Sequence, residues 1–397
     1  MNTIIKEKIE QAVSILKEKN IDMWLTFVRE SAYSKDPVMD IIVGTNVTWE
    51  SAFTICKDGS YSSILGSLDM ANMKAQGIYE NITGYVQSIN EPLLNLFKEK
   101  NPKSIAINYS KNSNLADGLS HGMYLLLLDH LKGTGYEGKL VSSEDIIAAL
   151  RGRKSKAEIA NLTEAVNVTL SIYDEVTKFM KPGMTEQQVA DFILSRVKEK
   201  GLETSWEEDQ CPAVFTGPES AGAHAEPTKR IIQKGHVLNI DFGVKINGYC
   251  SDLQRTWYFL RDGEDKAPAE VQRGFDVIVD SIQLVADKLK PGVMGCEMDD
   301  IARNFIVENG YPEYPHGLGH QVGKIAHDGG CGLFPRWERY GTIPFMKVEE
   351  SQVYTIEPRL PVKDFGVATI EEEVFVTEDG CIFLSKPQKE LYLIKAN

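Results

Sequence analysis

The sequence predicts an α+β fold in two parts. A smaller α/β domain covers residues 1–150. A larger domain over 155–397 is built from two similar halves. Three observations carry this expectation. Strands alternate with helices up to about residue 145, a basic glycine-containing link follows at 151–156, and the remainder repeats one ordered pattern twice.

The first part opens on an amphipathic helix over 4–19, with Ile5, Ile9, Ala12, Val13 and Leu16 at helical spacing and Lys and Glu between them. Met23-Trp24-Leu25-Thr26-Phe27-Val28 reads as a buried strand. Residues 52–56 and 62–65 read as a hairpin closed by Lys57-Asp58-Gly59-Ser60. A further strand is expected over 104–108 and a helix over 118–132. The apolar stretch 146–150 then gives way to Arg151-Gly152-Arg153-Lys154, and a long helix over 156–180 follows. Its apolar positions are Ile159, Leu162, Ala165, Val168, Ile172, Val176 and Phe179.

From there the chain repeats. Lys181-Pro182-Gly183 ends one long helix and Lys290-Pro291-Gly292 another. Each is followed by a second helix, over 185–200 and 297–309, that runs to a glycine, Gly201 and Gly310. Each half then holds a strand that carries an acid: Asp241 in 237–241, and Glu357 in 353–357. A second acid follows each, Asp252 and Glu371. The recurrence of helix, helix, acid strand and acid points to an internal duplication.

Composition bounds the class of protein. At 397 residues, a prior of roughly 150 residues per domain gives two or three domains. A chain 42% hydrophobic and 25% charged is ordinary globular material. The net charge of −14 disfavours nucleic acid or an anionic membrane as partner. The six cysteines stand singly, without a CxxC pair, and read as reduced thiols. The N-terminus has no apolar h-region, and the longest apolar candidate, 123–128, is too short to span a bilayer. A cytoplasmic location is therefore expected, and the Asn-x-Thr sequons carry no meaning there.

Three of the seven histidines fall close together at His316, His320 and His327, in a run with Gly317, Gly319 and Gly323. Glycines here allow close backbone approach. Alone, this run reads equally as a histidine-rich turn or as a device that aims imidazoles into a cavity. The duplication supplies partners for it. Two similar halves meeting about a pseudo-two-fold axis would bring Asp241, Asp252, Glu357 and Glu371 face to face. Four such carboxylates must take up protons or bind cations. Hard oxygens with one imidazole, His320, suit Mn²⁺, Co²⁺, Fe²⁺ or Zn²⁺. Asp241 and Glu357 sit in apolar strands, which a solvated face does not explain. Glu371-Glu372-Glu373 fits a surface run better, and Glu371 is chosen there by alternation after Ile370.

These residues carry a resemblance. Asp241-Phe242-Gly243, Gly248-Tyr249-Cys250-Ser251-Asp252, His316-Gly317-Leu318-Gly319-His320, Thr355-Ile356-Glu357-Pro358 and Ile370-Glu371-Glu372 are similar to the motifs of the pita-bread metallopeptidases. That superfamily includes methionine aminopeptidase, aminopeptidase P, prolidase and creatinase. The region before residue 150 resembles the N-terminal domain of the creatinase, prolidase and aminopeptidase P branch, which methionine aminopeptidases lack. The resemblance implies a pita-bread domain holding two divalent ions (Mn, Co, Zn or Fe). Asp252 and Glu371 would bridge them, Asp241 would bind one, and His320 and Glu357 the other. It further implies a metal-bridging hydroxide as nucleophile and Glu357 as general base. His224 would lie near the substrate, His327 would contact its carbonyl, and His316 would support the pocket. All five ligands are present, which disfavours a metal-free, creatinase-like activity.

Two positions depart from the pattern. Proline-specific members carry an arginine where Thr369 stands, and a glycine where Arg359 stands. Arg359 is expected to supply a guanidinium to the same cavity, for a substrate carboxylate or a pocket acid. The foremost expectation is an Xaa-Pro aminopeptidase or dipeptidase acting on a small peptide, as a homodimer. The alternative is an amidohydrolase acting on a non-peptide amino-acid derivative. A catalytically silent scaffold on this fold comes last.

Overall fold

The computed structural model describes residues 2–219 and 226–395. They form two compact units, Met1–Arg151 and Gly152–Asn397.

The first unit is a six-stranded mixed sheet. Its strands are β1 (Met23–Val28), β2 (Ser51–Cys56), β3 (Tyr61–Gly66), β4 (Asn81–Tyr85), β5 (Ile105–Ile107) and β6 (Leu140–Ser142), in the order β4-β3-β2-β1-β5-β6. β1 is central and buried along its whole length, as its unbroken run of large residues requires. β2 and β3 pair antiparallel across the expected turn, where Gly59 takes φ 93°. The opening helix, Asn2–Lys19, buries the five apolar residues named above. It also buries Lys8, whose Nζ donates to the Leu150 carbonyl at 2.7 Å. Two helices, Met70–Gln76 and Asn90–Lys100, and the strands β4 and β6 carried too little apolar periodicity to be foreseen. The helix expected from residue 118 begins at His121, because the Ser120 hydroxyl accepts from Met123 N and caps it. The stretch 146–150 belongs to helix Glu144–Gly152.

Among the described residues the second unit holds twelve strands: β7 (Glu203–Thr204), β8 (Ala213–Thr216), β9 (Val237–Phe242), β10 (Val244–Ile246), β11 (Tyr249–Cys250), β12 (Leu253–Phe259), β13 (Val353–Ile356), β14 (Arg359–Val362), β15 (Gly366–Thr369), β16 (Glu372–Val376), β17 (Cys381–Phe383) and β18 (Tyr392–Ile394). Two antiparallel pairs dominate, β9 with β12 and β13 with β16. They are joined where Gln254 and Glu371 exchange backbone hydrogen bonds of 3.4 and 3.2 Å.

Helix Lys156–Phe179 starts on a capping box between Ser155 and Glu158. With Glu186–Glu199 it packs on the first strand pair, burying Ile172, Val176 and Ile193 against Leu238, Ile240 and Trp257. Helices Ala269–Ala286 and Gly295–Glu308 do the same on the second pair, with Ile278, Val285 and Ile306 against Tyr354, Ile356 and Val374. Each of these side chains contributes about 1.5–3 kcal/mol by leaving water.

The repeat extends to backbone detail. Gly183 and Gly292 take φ 94° and 93°. Each donates its N–H over 2.9 Å, to Ile232 O and Val348 O respectively. A side chain at that φ would be strained, so both Lys-Pro-Gly turns need their glycine. The second unit therefore has the duplicated pita-bread fold.

Candidate metal centre

Each acid stands at a defined place on its strand pair. Asp241 faces Gln254 across β9 and β12, and Asp252 immediately precedes β12. Glu357 immediately follows β13, and Glu371 immediately precedes β16. Glu357 was expected inside its strand; instead Pro358, which lacks a ladder donor, follows directly on it.

The histidine run is drawn against β13. Gly319 N approaches Leu333 O, and His320 N donates to Thr355 Oγ1 at 3.1 Å. A Cβ on Gly319 would lie 2.0 Å from Thr355 O, so only glycine permits this approach. His320 Nε2 thereby comes to 3.4 Å from Glu357 Oε1, 3.7 Å from Asp252 Oδ2 and 3.8 Å from Glu371 Oε1. Its Nδ1 lies 3.3 Å from Gln321 O. A proton on Nδ1 satisfies that carbonyl and leaves the Nε2 lone pair directed at the acids.

Ligand atoms of Asp252, His320 and Glu371 lie within 4.8 Å of one another. Together with Asp241 and Glu357 they line a cavity of about 220 Å³. Donors around one ion at ~2.0–2.2 Å stand ~3–4 Å apart, which is the spacing found. Asp241 Oδ2 accepts from Gln254 Nε2 at 3.0 Å, but its Oδ1 is buried without a partner, and so is Glu371 Oε1. Burial pushes Asp241 up to about 7. Burial, reinforced by mutual repulsion, also holds Asp252, Glu357 and Glu371 well above the usual carboxylate range. Crowded, desolvated carboxylates with unpaired oxygens call for cations, so these residues fit a divalent metal site.

The Glu371-Glu372-Glu373 run is a correction to the surface reading, because all three are buried. Glu373 Oε1 accepts from Asp252 N at 2.7 Å, and burial pushes this acid to about 8. Glu372 turns the other way and pairs with the fully buried Arg255 at 3.0 Å. Arg255 also donates to the Gln254 and Glu371 carbonyls at 2.8 and 3.0 Å. It thus ties the two halves together behind the acids. Arg255 and Glu373 were missed in the sequence. Strand alternation could have found Glu373, which shares a face with Glu371.

The other candidates fall around this centre. The His327 ring lies 4.0 Å from that of His320, and His327 is exposed. A second cavity, about 490 Å³, shares His320, His327 and Glu357 with the first. It is lined also by His316, Phe215, Phe334, Tyr340, Arg359 and Thr369. His316 Nδ1 is held 2.8 Å from Gly317 O. Arg359 and Thr369 are direct cross-strand partners on β14 and β15, so an arginine absent from one position is present opposite it. The Arg359 guanidinium lies 5.7 Å from the Phe215 ring centroid, and among the described residues no carboxylate pairs with it. Thr369 Oγ1 donates to Gln254 Oε1 at 3.1 Å or to Pro358 O at 3.2 Å. His224 lies outside the described residues. Trp206, Glu207 and Gln210, which also line the first cavity, were not foreseen.

Comparison with known proteins agrees with this architecture. Residues 160–378 match the model of metallopeptidase family M24, more than half of the chain, and the chain belongs to that family. An uncharacterized peptidase of Staphylococcus saprophyticus is 31% identical over 239 residues, 60% of this chain and 63% of that protein. Among solved structures, an Xaa-Pro dipeptidase from Bacillus anthracis superposes with a TM-score of 0.75 at 22% identity, covering 98% of this chain and 100% of the other. An X-Pro aminopeptidase from Thermotoga maritima MSB8 gives 0.72 at 22%, covering 97% and 99%. At these identities the two structures show a shared fold. No helix among the described residues is long and apolar enough to cross a membrane.

Proposed function

We propose that this centre holds two divalent metal ions and that the chain is a hydrolase of short peptides, foremost of Xaa-Pro bonds. The observation that carries the reading is the convergence of Asp252, His320 and Glu371 within 4.8 Å, beside buried acid oxygens without partners. Asp252 and Glu371 would serve both ions, Asp241 one, and His320 and Glu357 the other. When bound, such ions supply Lewis acidity for the scissile carbonyl and for the attacking water.

The remaining work belongs to the chain. Glu357, which lines both cavities, takes a proton from the attacking water and passes it to the leaving nitrogen. His327 donates to the substrate carbonyl, and His224, which lies outside the described residues, is taken as a further substrate-binding histidine. His316 forms part of the pocket wall. Arg359, half-buried over Phe215, binds a substrate carboxylate. The unit boundary near residue 151 is taken as the limit of an N-terminal domain, 1–150, ahead of a catalytic domain, 155–397. The chain is taken as a homodimer, which sedimentation tests.

Thr369 in place of the arginine of the proline-specific pattern favours a second reading, hydrolysis of a non-peptide amide. A Mn²⁺-loaded panel of Xaa-Pro dipeptides, longer Xaa-Pro peptides and non-proline controls separates the two. Turnover of Xaa-Pro above a metal-only blank is expected, and its absence moves the assignment to the second reading. A protein that retains fewer than about two divalent ions overturns the dinuclear centre.

A further inference from the structure

The two cavities that meet at His320, His327 and Glu357 differ in charge. Two divalent ions would neutralise the four acids Asp241, Asp252, Glu357 and Glu371. The formal charge then left on the wall of the smaller cavity is Glu207, and on the larger one Arg359. With the substrate carboxylate at Arg359, its amino-terminal residue occupies the smaller cavity. Part of its wall is Trp206, Glu207 and Gln210, from the loop Trp206-Glu207-Glu208-Asp209-Gln210.

This loop is held in shape. Trp206 Nε1 donates to Gln210 O at 3.0 Å, and Thr204 Oγ1 donates to Trp206 O. Gln210 N and Cys211 N both donate to Glu207 O, at 3.0 and 2.9 Å. Trp206 is half-buried, and the three acids after it are exposed. An aromatic face beside a carboxylate in a cavity wall is a recognition element for an organic cation, because the ring quadrupole and the acid attract the same charge.

We propose that the Trp206–Glu207 wall is the specificity element for the amino-terminal residue of the substrate, and that it selects a basic side chain, lysine or arginine, over an acidic one. This rests on the reading of the centre as a peptide hydrolase with Arg359 at the carboxylate end.

The test uses the Mn²⁺-loaded full chain with Arg-Pro, Lys-Pro, Leu-Pro and Glu-Pro. In the natural protein kcat/KM for Arg-Pro exceeds that for Glu-Pro by about 10–100-fold, carried in KM and falling with added salt. Glu207→Gln narrows the ratio to about 3-fold or less, and Glu207→Lys inverts it, with the metal content of both variants unchanged. Calorimetric titration of the same protein with argininamide and leucinamide gives a readout independent of turnover. Argininamide binds at least about 5-fold tighter, and Glu207→Gln removes the difference. Equal kcat/KM for Arg-Pro and Glu-Pro, or a ratio untouched by Glu207→Lys, overturns the proposal. If no peptide is hydrolysed, the peptidase reading falls. The calorimetric preference then decides this proposal alone, and equal binding of the two amides overturns it.

Discussion

The two halves of the C-terminal unit share a backbone plan but divide the site unequally. In the first half Asp241 lies inside β9, receives a hydrogen bond from Gln254, and is buried. In the second, Glu357 lies one residue beyond β13 with its side chain 19% exposed, between two cavities. Among the described residues, the first half has no counterpart to His320 in the cavity, and the second has none to the loop bearing Trp206 and Glu207. Duplication thus supplies the carboxylate frame twice, and departures from the repeat supply the chemistry. A short, buried aspartate can only hold charge in place. A longer glutamate at a strand end can also move a proton to something in the cavity.

That division can be broken at Asp252 and Glu371, the acids proposed to serve both ions. Asp252→Asn or Glu371→Gln is expected to cost at least about 10³-fold in turnover and to strip metal to below one ion per chain. Asp241→Asn should retain about one ion. Metal analysis after gel filtration distinguishes these, and equal retention in all three variants contradicts the assigned sharing.

The histidines offer the next contrast. His320→Ala should lose metal affinity together with activity. His327→Ala should keep its metal and lose about 10²-fold in kcat, by removal of the proposed donor to the carbonyl. Metal loss in both variants would place His327 among the ligands.

Behind the ligands, Glu373→Gln weakens the hold on Asp252 N. Supporting contacts of this kind are worth about 10–100-fold in metal affinity. Titration with Mn²⁺ at pH 7.5 measures the change, and an affinity within about 2-fold of the natural protein would make Glu373 a bystander.

The smallest effect is on stability, and its sign follows from the raised carboxyls. Asp241 at about 7 and Glu373 at about 8 bind protons in the folded state that the unfolded chain has already released. The contribution of these two acids to the stability of the metal-free protein is therefore fully present below the unfolded value of about 4, and is lost as pH rises from there through about 8. Metal reverses the penalty. At 100 times its Kd it adds about 2.7 kcal/mol. For a unit of this size that is about 5–10 °C in Tm. Scans with Mn²⁺ and with chelator should diverge more at pH 8 than at pH 5.5, and a gap independent of pH would detach the acids from the metal.

Much of this was legible in the chain. The Lys-Pro-Gly repeat, the acid strands and the glycines around His320 were visible because each answers a local demand. A turn needs positive φ, a buried strand needs apolar flanks, and a close approach excludes Cβ. Burial of the Glu371-Glu372-Glu373 run was not visible, because three charges in a row read as solvated until their partners are known. Those partners are Arg255 and the amide of Asp252, both more than 100 residues away, and Ser385 from beyond the next turn.

The sequence by itself determined the repeated order of helices and acid strands in the second unit, and the five acid and imidazole positions that meet in one cavity. Strand period and turn chemistry are short-range properties, so residue order is enough to specify them. Only the tertiary structure decided that Arg359 stands opposite Thr369, that Arg255 lies beneath the seam between the halves, and that Glu207 lines the smaller cavity. These depend on strand register and on packing between distant segments, and a local pattern of residues does not encode either.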